Sequence, residues 1–245
     1  MILGVIPARG GSKGVLRKNI QPLAGHPLIA YSIRQAGRCT FIDRAVVSTE
    51  DEEVAGIARS YGAEVPFLRP AHLAQDGTPM LPVLQHALAW VEERGWGKVR
   101  LVVVLQPTCP FRADEDIADC VRTLDGTGAD SVIAVCEPSH DPYRLLYNMD
   151  DSGIITPLIP RQPTWTTTSG AGRAFGSRQE SPQTWCENGA VYVVRRDVVM
   201  DQGLIITSNT RGVIVPEERS LDIDSPLDLE FARWLMQRGR SKLPK

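Results

Sequence analysis

The chain has 245 residues, enough for one large α/β domain or one domain with a small appendage, and too few for two full enzyme domains. Lys and Arg total 27 against 29 Asp and Glu, so the net charge of −2 lacks the basic excess of a nucleic-acid binder. With 42% hydrophobic and 23% charged residues, the chain can bury a core and is not a disordered polymer.

Ile2–Ile6 reads as a buried strand, and Pro27–Arg38 as a helix with Leu28, Ile29, Ile33 and Ala36 on one face. Ala45-Val46-Val47 is the next strand. Thr49 and Glu52 then fit a capping box opening a helix with Val54, Ile57, Ala58 and Tyr61 inward, stopped at Gly62. Leu81, Leu84, Leu88 and Val91 mark a third helix ending at Gly95, and Leu101–Leu105 is a strongly buried strand. Ile117, Cys120, Val121 and Leu124 predict a fourth helix that ends before Gly126, followed by a strand at Ser131–Val135. Strands alternating with helices imply a mainly parallel sheet covered on both faces.

From about Glu137 to Cys186 the alternation stops, and Thr164–Ser177 has almost no periodicity. A loop this long inside a compact domain is usually functional or mobile. Strands return at Ala190–Val194 and Val213–Val215. Ser225-Pro226-Leu227-Asp228 opens a last helix, with Leu227, Phe231, Trp234 and Leu235 expected inward.

The longest apolar runs are too short to span a bilayer, and no basic stretch precedes the first of them. No membrane partner is expected. Five cysteines form no CxxC pair, which disfavours a disulfide or thiolate–metal framework and fits a cytoplasmic location.

Three clusters carry chemistry. The first strand runs into Arg9-Gly10-Gly11-Ser12-Lys13-Gly14, and Arg9, Lys13, Arg17 and Lys18 put four cations within ten residues. Glycines let backbone N–H groups approach an anion closely, so a triphosphate suits this loop; the bland alternative is a turn with solvated charges. At the end of the most buried strand, Gln106 offers an amide to a hydroxylated sugar and Arg112 could neutralise an anion; a rigid strand exit is the alternative. In Ser220-Leu221-Asp222-Ile223-Asp224, alternation puts both carboxylates on one face. Such a pair repels unless a cation intervenes, and Mg²⁺ with phosphate oxygens is the usual answer, against a mere helix-capping role for Asp224.

Taken together, the chain resembles the acylneuraminate cytidylyltransferases. The matching stretches are IPARGGSKG…RKN at 6–19, VSTEDEEVA at 47–55, LRPAHLAQD at 68–76, LQPTCPFR at 105–112, ENGAVY at 187–192 and SLDIDSPLDLE at 220–230. The resemblance implies a Rossmann-like, nucleotide-diphospho-sugar-transferase type of fold with a small dimerisation arm. The implied activity joins CTP to an acidic 2-keto sugar, giving CMP-sugar and pyrophosphate. Arg9, Gly10, Gly11, Ser12, Lys13, Lys18, Asn19, Arg69 and Asp76 would hold the nucleotide. Gln106, Thr108, Arg112, Arg144, Arg178 and Asn188 would hold the sugar. Lys13, Arg9, Asp222 and Asp224 would be catalytic, and the two aspartates would carry Mg²⁺. Cys109 stands where the family usually has Ser.

The implied layout is one nucleotidyltransferase domain over 1–136 and 187–238, an arm over 137–186 that packs across a homodimer, and a frayed tail at 239–245. A flexible insertion in a monomer is the alternative for the arm. Other readings keep the scaffold and change the acceptor to pseudaminic, legionaminic or deaminated neuraminic acid, Kdo or a phosphonate, or make the chain a non-catalytic nucleotide-binding regulator.

Overall fold

A computed structural model describes residues 1–140, 146–158 and 182–239. In chain order the elements are β1 (Ile2–Pro7), β2 (Pro22–Leu23), β3 (His26–Pro27), α1 (Leu28–Arg38), β4 (Arg44–Ser48), α2 (Glu52–Ser60), α3 (Met80–Glu93) and β5 (Leu101–Val104). They continue with α4 (Asp114–Thr127), β6 (Ser131–Cys136), β7 (Tyr147–Met149), β8 (Ile155–Pro157), β9 (Cys186–Arg195), β10 (Thr210–Ile214) and α5 (Pro226–Gln237). Contacts divide the chain into two units, Met1–Val135 with Glu187–Lys245, and Cys136–Cys186. In the smaller unit β7 and β8 form an antiparallel pair. No helix among the described residues is long and apolar enough to cross a membrane.

The six-stranded sheet has the order β10-β6-β9-β5-β1-β4. Val5 of β1 lies opposite Val46 of β4 and Val104 of β5, both parallel. β9 runs antiparallel to β5, with Val103 opposite Val193. The sheet is thus mainly parallel, as expected, with one reversed strand.

Strand alternation sends side chains to two cores. Ile2, Ile6, Val47 and Val103 pack with Ile29, Ile33, Val54, Ala58, Ile117 and Val121 of α1, α2 and α4. Leu3, Val5, Val46 and Val104 pack with Leu84, Leu88 and Val91 of α3. Burying each valine, leucine or isoleucine among these contributes about 1.5–3 kcal/mol. A third cluster joins α5 to Val15, Leu23, Leu28, Tyr31 and Phe111.

Three local expectations are corrected. The N-cap of α2 is Asp51, whose carboxylate accepts from the Val54 N–H at 2.9 Å, rather than Thr49. Thr49 is fully buried at the strand exit, and its hydroxyl accepts from the Asp51 N–H at 3.2 Å. Helix α4 runs through Gly126 and ends at Gly128, whose left-handed φ of 65° makes it the true C-cap. In α5 the buried residues are Leu229, Ala232 and Leu235, whereas Leu227, Phe231 and Trp234 are 73%, 47% and 44% exposed. Two apolar stripes run along this helix, and the one containing the small Ala232 faces the core. Its start matches expectation: Ser225 and Asp228 form a reciprocal capping box with Pro226 in the first turn.

Candidate active site

At the carboxyl edge of β1, β5 and the segment after β10 lies a cleft of about 460 Å³. Arg9, Ser12, Lys13, Lys18, Asn19, Arg69, Asp76, Gln106, Thr108, Asp222 and Asp224 all line it, although they come from four separate sequence segments. Parallel α/β sheets place ligand sites at this edge.

The loop after β1 is shaped by internal bonds. Asn19 is buried and donates its amide to the Arg9 carbonyl at 2.8 Å. The Arg9 guanidinium reaches Asp76 at 3.0 Å and the Gln75 carbonyl at 3.2 Å, while the Lys13 ammonium reaches Asp76 at 2.7 Å. Gly10 and Gly11 do not line the cleft; the Gly10 N–H donates to the Glu50 carboxylate at 2.7 Å. The Gly10 bond ties this turn to the segment after β4.

Arg17 also turns away from the cleft. Its backbone is left-handed, at φ 52° and ψ 39°, and its guanidinium bonds Asp51 at 3.1 Å and Glu53 at 2.7 Å. The Asp51 hydrogen bond raises its pKa, so this cation is a brace for the loop. Arg69 is buried, donates to the Ser48 carbonyl at 3.0 Å, and has its pKa lowered by burial. Its Nε has no hydrogen-bond partner among the described residues.

Two residues expected at the sugar make internal hydrogen bonds. Arg112 is buried and absent from the cleft lining. Its guanidinium donates to the carbonyls of Cys109 at 2.9 Å and Ala190 at 2.8 Å, to the Ser32 hydroxyl at 3.0 Å, and to the Gln106 carbonyl. Burial brings its pKa down to about 10, so it stays charged at neutral pH, but its donors are committed to backbone carbonyls and the Ser32 hydroxyl. Asn188 donates to the Ser220 hydroxyl at 2.8 Å and accepts from the Ala190 N–H at 3.0 Å. It fixes the aspartate segment from behind. Arg144 and Arg178 lie outside the described residues.

The Asp222–Asp224 segment is pinned on several sides. The Ile223 N–H donates to the Thr108 carbonyl at 2.9 Å, and the Asp228 carboxylate accepts from the Asp224 N–H at 3.1 Å. Arg219 grips the buried Asp116 at 2.8 and 3.1 Å. The Cys109 thiol, pushed up to about 12 by burial, donates to the Asn188 carbonyl at 3.3 Å and lies 3.7 Å from Asp222. Burial raises the Asp222 pKa, and the charge of Asp224 adds to the rise. Asp224 holds the Lys18 ammonium at 2.7 Å. Among the described residues no group of three metal-binding side chains occurs. Two carboxylates nevertheless suit Mg²⁺, which commonly takes one or two and completes its shell with phosphates and water.

Sequence reasoning missed two residues on the apolar side of the cleft, Leu73 and Val83. Val83 is buried one turn into α3, where helical periodicity marks it only as core. Gly14 was also underread. A Cβ there would overlap the Asp224 carbonyl oxygen, so glycine is what lets the loop and the aspartate segment close on each other.

Known proteins resemble this chain in sequence and in fold. The family described as cytidylyltransferase matches residues 3–148. Post-translational flagellin modification protein B of Campylobacter coli is 33% identical, covering 96% of this chain and 95% of that protein. CMP-N,N'-diacetyllegionaminic acid synthase of Campylobacter jejuni is 32% identical, covering 96% and 94%. In fold, the chain resembles a CMP:2-keto-3-deoxy-manno-octonic acid synthetase solved with CTP, with TM-score 0.70, 18% identity, and coverage of 97% and 99%.

Gly14→Ala should therefore displace Asp224 and lower kcat/KM about a hundredfold while circular dichroism stays unchanged, since misplacement by about 1 Å can cost that much. Full activity in this variant would refute the close approach.

Proposed function

Because the chain belongs to the cytidylyltransferase family, we propose that it joins CTP to an acidic 2-keto sugar of the N-acylneuraminate type, releasing pyrophosphate. The observation that carries this reading is the convergence of Arg9, Lys13, Lys18, Asp222 and Asp224 on one cleft. The anomeric hydroxyl oxygen bonds to the α-phosphorus as the bond from phosphorus to the β-bridging oxygen breaks. Pyrophosphate leaves with the electron pair, and the hydroxyl proton is released to solvent. Catalysis of this kind is chiefly positioning and charge neutralisation.

Arg9 and Lys13 neutralise the triphosphate, and Ser12 donates to it. Arg69 borders the base, beside the apolar wall of Leu73 and Val83. Gln106 and Thr108 orient the sugar. Asp222 and Asp224 would hold Mg²⁺: both are hard oxygen donors, Asp222 is dehydrated by burial, and Asp224 already carries an ammonium. When bound, Mg²⁺ supplies charge neutralisation on phosphate oxygens.

A sharper reading makes the acceptor a diacetylated legionaminic acid. It is favoured by the nearly full-length similarity to the C. jejuni synthase. Pyrophosphate release from CTP across a panel of acceptors tests both readings. Turnover with N-acetylneuraminic or N,N'-diacetyllegionaminic acid is expected. Turnover confined to pseudaminic acid, Kdo or a phosphonate moves the assignment to that acceptor, and release with none of them leaves a nucleotide-binding regulator. Asp224→Asn should lower turnover by roughly two to three orders of magnitude without unfolding the chain. Near wild-type turnover at limiting Mg²⁺ would remove the metal assignment.

The same reading makes the chain a cytoplasmic homodimer, with the Cys136–Cys186 unit as the contact. An isolated two-stranded pair is marginal by itself, and this unit exposes Leu146, Met149, Ile154 and Leu158. A two-fold dimer is the commonest way to cover such a surface. Light scattering should give about 54 kDa, twice 26.9 kDa; an active species at the monomer mass would refute the dimer.

A further inference from the structure

Asp76 lies on an exposed loop between the short helical turn Ala71–Leu73 and α3, and its carboxylate is fully engaged within the cleft. One oxygen meets Arg9 at 3.0 Å and the other meets Lys13 at 2.7 Å. Arg9 also donates to the neighbouring Gln75 carbonyl at 3.2 Å. The hydrogen bond from Lys13, helped by the Arg9 charge, holds the Asp76 carboxyl below its usual range.

These are the two cations assigned above to the triphosphate. A carboxylate beside a polyanion repels it, and no oxygen of Asp76 is left without a cation. Phosphate oxygens arriving at Arg9 and Lys13 therefore compete with Asp76 for the same N–H donors. Resting on the cytidylyltransferase reading of the cleft, we propose that Asp76 is an internal counter-ion that poises Arg9 and Lys13 and is displaced from them by the nucleotide phosphates.

The pairs suit an exchange. The Lys13 and Asp76 side chains are 81% and 47% exposed, and ion pairs at that exposure are weak. An incoming pyrophosphate or triphosphate brings several charges against one. The exchange also links the two halves of the nucleotide. Gln75, Asp76 and Thr78 lie on the segment leading into Pro79 and Met80, so phosphate occupancy releases the loop that borders the base side. When pyrophosphate departs, Asp76 takes the cations back and opposes its return.

Inorganic pyrophosphate is the probe, titrated calorimetrically into metal-stripped protein so that only the side-chain cations are read. Asp76→Asn should bind it about three- to tenfold more tightly than wild type, the range expected for loss of one or two exposed pairs. Pyrophosphate inhibition against CTP should tighten by the same factor. Asp76→Glu, which keeps the charge on the same exposed loop, should return affinity to near wild type. Unchanged or weaker binding by Asp76→Asn would overturn the proposal and make Asp76 a ligand of the nucleotide. Lys13→Ala separates the two levels. If it leaves wild-type pyrophosphate binding intact, or if wild type binds none, the phosphate subsite is wrong and the counter-ion falls with it. If Lys13→Ala weakens binding and Asp76→Asn does not strengthen it, only the counter-ion falls.

Discussion

Parallel pairing of β1 with β4 on one side and β5 on the other is the constraint on which the site depends. Parallel strands all end at the same sheet edge, so the loops after Pro7, Ser48 and Val104 must emerge together. The first brings the cations, the second leads to Arg69 and Asp76, and the third brings Gln106 and Thr108. The valine- and isoleucine-rich strands supply the energy for that arrangement by burying both faces of the sheet.

A second layer of interactions converts proximity into geometry. Arg112 gathers carbonyls from the turn after β5 and from β9, and so joins the Gln106–Cys109 turn to the strand carrying Asn188. Asn188 holds Ser220, and Arg219 is clamped by Asp116, so the two aspartates are presented on a braced segment. Arg17 does the same for the first loop through Asp51 and Glu53. Of these, Arg112 is buried, and its Nε, Nη1 and Nη2 each donate to protein oxygens, which offsets its cost of desolvation.

The cleft is also internally neutralised. Lys18 pairs with Asp224, and Arg9 and Lys13 pair with Asp76. Exposed pairs of this kind add little to stability, which leaves the groups available to a ligand of higher charge. A Cβ at Gly14 would overlap the Asp224 carbonyl oxygen, so the loop and the aspartate segment are coupled by shape as well as by charge.

The sequence by itself determined the alternation of strands and helices, the Ser225 cap, and the segments that meet in the cleft. Those features are local: periodicity two or 3.6, a cap at fixed spacing, and runs of residue types suited to phosphate and metal. Arg9, Lys13, Lys18, Asp222 and Asp224 were legible because their chemistry matches their neighbours along the chain. Tertiary structure alone decided which cations face the cleft. Arg112 and Arg17 carry the same charge as Arg9, and nothing local tells that carbonyls from β9 or carboxylates from α2 will take their donors. It also chose between the two apolar stripes of α5, because burial depends on what packs against the helix. Sequence spacing lists the groups; only the packing of distant segments sets which of them are left for a ligand.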